Sequence, residues 1–578
     1  MSREEARKLP RYALLALLAL FIFCGLWARE LWTLRDAESF GIAATMASGS
    51  LTDWLLPNVF GRAAPAAGPL AGWVSAVFIL IFSPWVGDVQ AYRLASVFWF
   101  TGTACAIWYG AWSIARRREA QPVAFAFGGE ASPRDYSRVV ADSAVLLFVA
   151  TFGIATRQHE AVPAIVLLSM AALNFFGLAR ALRNPISGTV TAGLAASLAA
   201  LGSTIFAGVW LLAASLIVNV CVRSYPGNRD RRILLLLVSA LTPISIWALA
   251  AWFLLPEGKV VEWFLAWTHL QAADFGIFDL RTLEWLLKNF VWYLCPIWPL
   301  VVWGLFSWRR QLDRTHLFLP LMLSATGILS ALFSSMESAD MVFLACIPSL
   351  SVFAAFSLIT LRRAQENLLD WFSLSVFSLA AATLWLYWFA WLVGIPPKMA
   401  ASIEMLAPGV RPLTDSGLAL GVVVTALWVV FVVWRTTHRP IVAWRGPWLA
   451  AAGLTLVASL LFGLFHTAID RARSYETVAV EVAEELRRLG LEPDERVEDK
   501  NLPLGIRAVL VHYGHVPFSR TPTEACRFAV MRDRSGPLPD NAIGSPIARP
   551  HTDEVILLVP GRASEHRRPV FPLAFPSK

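Results

Sequence analysis

The chain has 578 residues, of which 57% are hydrophobic and only 16% charged, and its mean hydropathy is +0.57. Soluble globular proteins carry roughly 25% charged residues, so the composition excludes a soluble enzyme and indicates a polytopic membrane protein. The net charge of +8 is gathered in clusters at alternate helix ends, the signature of topology under the positive-inside rule, and no nucleic-acid partner is expected.

Apolar runs of about 18 or more residues recur nearly to residue 466, each long enough to cross the hydrocarbon core as a helix. They are continuous rather than alternating, which predicts an α-helical polytopic membrane fold and not a barrel. The first run, 12–32, follows Lys8 and Arg11 but lacks a small-residue cleavage site, so it reads as a retained helix. Basic clusters at Arg116-Arg117-Arg118, 180–183, 223–232, Arg309-Arg310, Arg362-Arg363 and 435–445 are expected on the cytoplasmic side. With Arg116 inside, the apolar segments 70–85 and 91–112 cannot both cross. The shorter one, 70–85, has prolines near both ends and is expected as a juxtamembrane or re-entrant helix. Spans are then predicted near 12–32, 91–113, 139–156, 162–182, 187–202, 204–222, 233–255, 285–307, 316–335, 342–361, 370–394, 416–434 and 447–466. These make about thirteen crossings, with boundaries good to roughly 2 to 4 residues. The N-terminus is expected in the cytoplasm and the C-terminus outside.

Residues 1–466 form the expected membrane domain, and 467–578 a small external α/β domain. In the tail, 474–489 has apolar residues at helical spacing, while 508–511, 528–531 and 555–559 read as short buried strands. Five of the six cysteines lie in apolar runs and Cys526 stands alone in the tail, which offers neither a disulfide framework nor metal-ligand spacing. The 26 tryptophans suit interfacial belts.

Chemistry is expected among the external segments, above all in residues 34–70. There Asp36 and Glu38 come directly after the first span, where an ionisable pair is either a solvated loop or functional. Ile42-Ala43-Ala44-Thr45-Met46, Asp53-Trp54, Gly68-Pro69-Leu70 and Tyr92-Arg93-Leu94-Ala95-Ser96 succeed them in order. In these residues the sequence resembles the class C (GT-C) membrane glycosyltransferases that use polyprenyl-phosphate sugars. It is most similar to the lipid A aminoarabinose transferase branch, with the protein O-mannosyltransferases as cousins. The resemblance covers most of the chain in layout and is specific in residues over the first 100 or so. It implies an enzyme of the bacterial inner membrane with its tail in the periplasm. Such an enzyme moves a sugar, with inversion, from a polyprenyl-phosphate donor, by resemblance undecaprenyl phosphate, to a lipid, glycan or protein acceptor.

Carried over by residue, Asp36 matches the family's catalytic carboxylate, with Glu38 its neighbour. Aligning Ile42 and Met46 puts the family's acidic pair on Arg35 and Asp36. Glu160, in the turn Arg157-Gln158-His159-Glu160, matches a second external acid, although a capping turn at the membrane surface is the ordinary reading of that stretch. A divalent metal (Mg, Mn or Zn) held by Asp36, Glu160 and His159 is a further implication.

The departures concern positive charge. The family's Thr-Lys-Gly is Gly202-Ser203-Thr204 here, its Glu-Lys-Pro-Pro is Ala66-Ala67-Gly68-Pro69, and its Lys or Arg near 334–340 is replaced by Glu337 and Asp340. A departing phosphate needs cations or hydrogen-bond donors. The substrate-binding candidates are Arg62, Arg93, Arg157, His159, Ser203, His269 and Lys398, with Arg281 a further cation. The alternative is a non-catalytic member that handles lipid-linked substrates. A Walker loop and a dinucleotide fingerprint are lacking, and sparse charge within the spans argues against a secondary transporter.

Overall fold

The structure, a computed structural model, describes all residues except 28, 67, 124–127, 275, 277, 413–415, 439–440, 520–525, 535–541, 550–551, 553 and 563–578. It is a mostly helical membrane protein with a small mixed sheet at its C-terminal end. In chain order the first half comprises helices α1 (Arg11–Phe23), α2 (Leu34–Ser48) and α3 (Leu51–Leu55), the hairpin strands β1 (Asn58–Val59) and β2 (Arg62–Ala63), and α4 (Leu70–Val86), α5 (Asp88–Ala115), α6 (Pro133–Ala150), α7 (Phe152–Arg157), α8 (Pro163–Ala181), α9 (Pro185–Gly202), α10 (Ile205–Cys221) and α11 (Arg229–Leu254). Then come α12 (Glu257–Asp274), α13 (Leu280–Tyr293), α14 (Ile297–Ser307), α15 (Thr315–Ala331), α16 (Met336–Ala345), α17 (Ile347–Leu358), α18 (Arg363–Val393), α19 (Pro397–Leu406), α20 (Ser416–His438), α21 (Arg445–Leu464) and α22 (His466–Arg473). The tail holds α23 (Glu476–Arg488), β3 (Val497–Lys500), α24 (Leu504–His512), β4 (Phe528–Arg534), β5 (Ile543–Ala548) and β6 (Glu554–Pro560).

Among the described residues eight helices are long and apolar enough to cross a membrane, α16 and α17 counting as one, and the bent pair α13–α14 makes a ninth. α1, α4, α10 and α15 are shorter apolar helices. Three expected spans differ in shape, the 139–156 run being broken at Thr151 between α6 and α7. The 285–307 run is bent by 100° between α13 and α14, at Pro296, whose missing N–H and ring end a helix. The first span stops at Phe23 rather than residue 32. Gly25 takes a positive φ of 79° there, open to glycine without steric cost, and the chain then runs to the Thr33 cap of α2. That early turn frees Arg29 and Glu30 to face the loop instead of a helix surface.

The described residues of 34–66 form helices and a hairpin joined by short turns. Thr33 caps α2 by accepting from the Asp36 amide, and a capping box between Ser50 and Asp53 starts α3. The hairpin turns through Phe60 and Gly61 with φ of 47° and 91°, the two positive values a two-residue type I′ turn needs. The Phe60 amide donates to Thr45 Oγ1 at 2.9 Å, which ties the hairpin back to α2. α4 packs on α2, with Gly72 against Met46.

In the tail, β3 runs parallel to β4, and β4, β6 and β5 pair antiparallel in the order β3-β4-β6-β5. The strands expected at 528–531 and 555–559 fall within β4 and β6. The apolar run 508–511, expected as a strand, lies instead in α24. A short apolar run carries no periodicity that separates a strand from a buried helix, and here packing against α2 decides. Gly505 meets the Leu34 backbone and Gly41 meets Ala508. A Cβ at Gly505 would collide with the Leu34 carbonyl oxygen, so Gly505→Ala is expected to cost about 1 to 3 kcal/mol by overpacking. A lowered unfolding temperature of the purified protein, with faster proteolysis of the tail, checks it.

Candidate active site

Two tiers of charged residues meet where α2 lies against the α1–α2 link, the start of α5, the 157–160 turn and the beginning of α16. The inner tier is sealed. Asp36, at the third position of α2, is fully buried, and so is Arg93 on α5. Arg93 Nη2 donates to Asp36 Oδ2 at 2.7 Å, and the Tyr92 hydroxyl donates to Oδ1 at 3.1 Å. The remaining Arg93 donors go to the carbonyls of Arg29 (2.8 Å), Glu30 (2.6 Å) and His159 (3.1 Å). Beside them Arg29 Nη2 pairs with Glu160 Oε1 at 3.0 Å, both buried, and the Arg29 guanidinium stacks 4.2 Å from the Trp32 ring centre. His159 is buried with Nε2 3.2 Å from the Phe21 carbonyl oxygen. Burial and then Arg29 push its imidazole down to about 3, so it is neutral at physiological pH. Buried charges persist only when paired and hydrogen-bonded; here each buried charge has an opposite partner and the network joins four separate segments, with Arg29 Nε left without a hydrogen bond among the described residues.

The outer tier is half-open. Arg35, on the exposed side of α2, pairs with Glu337 at 2.8 Å and lies 3.6 Å from Asp340. Arg157, at the end of α7, pairs with Asp340 at 2.8 Å, and the Tyr293 hydroxyl donates to the other Asp340 oxygen at 3.1 Å. α16 is held in register by its cap, since Ser335 and Ser338 both donate to Asp274 at the end of α12. Glu38 stands among these groups with no hydrogen bond or ion pair among the described residues. Burial and then Glu337 push its carboxyl up to about 7, against the opposing fields of Arg35 and Arg62. A carboxyl that titrates near neutrality beside cations is the profile of a general base.

Of the residues singled out in the sequence, Asp36, Arg93, His159 and Glu160 fall in the inner tier, and Glu38, Arg62 and Arg157 in the outer. Ser203 is buried and donates to the Ala199 carbonyl of its own helix at 2.8 Å. His269, Arg281 and Lys398 are exposed, and their side chains make no hydrogen bond or ion pair among the described residues. Ala67, in the segment that departs from the Glu-Lys-Pro-Pro pattern, lies outside the described residues. A divalent metal does not fit Asp36 and Glu160, because each is already held by an arginine and two guanidiniums would face the ion. No group of three or more His, Cys, Asp or Glu side chains among the described residues could hold one elsewhere. Sequence reasoning missed Arg29, Arg35, Tyr92 and Tyr293 as site members. For Arg35 a signal existed: on a helix it shares a face with Glu38 three residues on, whereas Asp36 and Glu38, two apart, point to different faces.

No protein-family model and no curated protein sequence matches the chain. Among solved structures it is similar to ArnT from Cupriavidus metallidurans bound to undecaprenyl phosphate. That match has 13% identity and a TM-score of 0.58, over 94% of this chain and 97% of that one. The apo state of the same protein matches with a TM-score of 0.55 over the same shares, also at 13% identity. The oligosaccharyltransferase of Archaeoglobus fulgidus aligns at 12% identity and a TM-score of 0.40, over 88% of this chain and 64% of that one. With its helical body, its folded first loop and its small C-terminal sheet, the chain has the GT-C membrane glycosyltransferase fold, in the form seen in ArnT.

Proposed function

We propose that this protein is a glycosyltransferase that takes a sugar from a polyprenyl-phosphate carrier and moves it to a hydroxyl of a lipid, glycan or protein acceptor. It would do so on the periplasmic face of a bacterial inner membrane, with its N-terminus in the cytoplasm. One observation carries the reading beyond the fold: Glu38 is an unpaired carboxyl with a value near 7, within the fields of Arg35 and Arg62, and Asp340 ties Arg157 to the same group of charges as Arg35. In the reaction the acceptor oxygen attacks the anomeric carbon and its proton passes to Glu38. The bond from that carbon to the phosphate oxygen breaks, and polyprenyl phosphate leaves with the electron pair. A single displacement inverts the anomeric centre. Arg35 and Arg157 would meet the phosphate, exchanging Glu337 and Asp340 for it, and so supply the positive charge that the absent lysines provide in the relatives. Asp36, sealed behind them, would hold Arg93 and the loop backbone rather than touch substrate.

The same two acids favour a second reading. Glu337 and Asp340 already neutralise the arginines a phosphate would need, as suits a non-catalytic protein of this fold that handles lipid-linked substrates. Lipid and glycan analysis of cells lacking the gene separates the two. A sugar missing from one acceptor, restored by the wild-type gene and not by Glu38→Gln, is expected for the transferase. An unchanged set of glycans would refute it.

A further inference from the structure

We infer that the C-terminal sheet positions a substrate-binding arginine, Arg62, through Asp499, an inference that rests on the transferase reading above. Arg62 sits on β2 of the first loop, 437 residues before its partner. Its Nη1 donates to Asp499 Oδ1 at 3.1 Å and Oδ2 at 2.9 Å, and to the Leu502 carbonyl at 2.6 Å. Nε and Nη2 have no partner among the described residues, the side chain is 38% exposed, and its field reaches Glu38. One nitrogen is anchored, and the Nε–Nη2 edge of the guanidinium has no partner among the described residues.

Arg507 on α24 makes the contrast. It spends Nη1 on Asp499 at 3.1 Å, Nε on the Val59 carbonyl at 3.1 Å, and Nη2 on the carbonyls of Phe60 (2.8 Å) and Ser519 (3.2 Å). It is buried, stacks on Phe518 and leaves none of its three nitrogens without a partner. Arg507 is therefore a structural clamp that grips the hairpin at its turn, while Asp499, 7% exposed, grips the side chain that the hairpin carries. A free arginine carries about 2 kcal/mol of rotamer entropy. Anchoring one nitrogen removes much of that cost in advance and leaves a planar edge suited to the two oxygens of a phosphate. The tail is on this account part of the binding site, and Asp499 is its positioning residue.

The test titrates undecaprenyl phosphate into the purified full-length protein in detergent and monitors tryptophan fluorescence. Arg62→Gln and Asp499→Asn are each expected to weaken binding about tenfold, the loss of roughly 1.4 kcal/mol. The double variant should bind no more weakly than Arg62→Gln alone, and Asp499→Glu should restore most of the affinity. Arg549→Gln, which cuts the contacts of Arg549 with Tyr475 and Glu554 and so loosens the tail elsewhere, should stay within about twofold of wild type. If Asp499→Asn binds like wild type, or Arg549→Gln loses as much as Asp499→Asn, the positioning role is overturned and the transferase reading stands. It is overturned likewise if Arg62→Gln is without effect in a protein that binds. A wild-type protein that fails to bind undecaprenyl phosphate removes both.

Discussion

Glu38→Gln is expected to slow transfer by about 10²- to 10⁴-fold, the loss typical of removing a positioned base, while the amount of folded protein in the membrane is unchanged. Glu38 makes no hydrogen bond or ion pair among the described residues that the amide would lose, so the fold has nothing at stake in its charge. The pH profile tests the same assignment from another side. Burial raises this carboxyl to about 7, so below that pH it is protonated and cannot accept the acceptor's proton. Transfer should fall about tenfold per pH unit on the acid side, and the variant should lack that limb. Initial rates of undecaprenyl phosphate release across the range from acid to mildly alkaline pH supply the measurement. A wild-type profile flat across this range, or a variant of normal rate, would remove Glu38 from the role of base.

Asp36→Asn is expected to act on folding before it acts on chemistry. The side chain is fully buried against an equally buried Arg93, and removing one charge of such a pair leaves the other uncompensated, which costs about 3 to 5 kcal/mol. The three carbonyls that Arg93 also meets put the outcome at the lower end. A drop in membrane abundance and in the unfolding temperature in detergent checks it. This differs from what the family resemblance implies for the loop, where Asp36 matches the catalytic carboxylate. Normal abundance and stability with transfer abolished would return Asp36 to that role.

The contrast between the two acids comes from the helix that carries them, which the sequence shows only as a pattern. Residues 34–48 carry both an acidic pair and an apolar pattern, and the family resemblance pointed to the acid that aligns in register. Once the segment is a helix, the two carboxyls diverge by about 200° of rotation. One enters the core beside Arg93 and the other faces the opening. The 334–340 stretch is similar: Glu337 and Asp340 stand where a cation was expected, and in the structure they serve as counter-ions to Arg35 and Arg157. The tail strand expected at 508–511 became a helix because the face of α2, with glycines at the contact, receives one.

By itself the sequence determined the features set by solvent preference and local pattern. Long apolar runs must be helices in lipid because the backbone has no other partner there, and the amphipathic tail and the folded first loop come from periodicity and punctuation. Only the tertiary structure decided which charges meet. Asp36 with Arg93, Arg157 with Asp340, and Arg62 with Asp499 are separated by 57, 183 and 437 positions. The energy of an ion pair depends on distance and burial in space, quantities that composition and spacing along the chain do not contain.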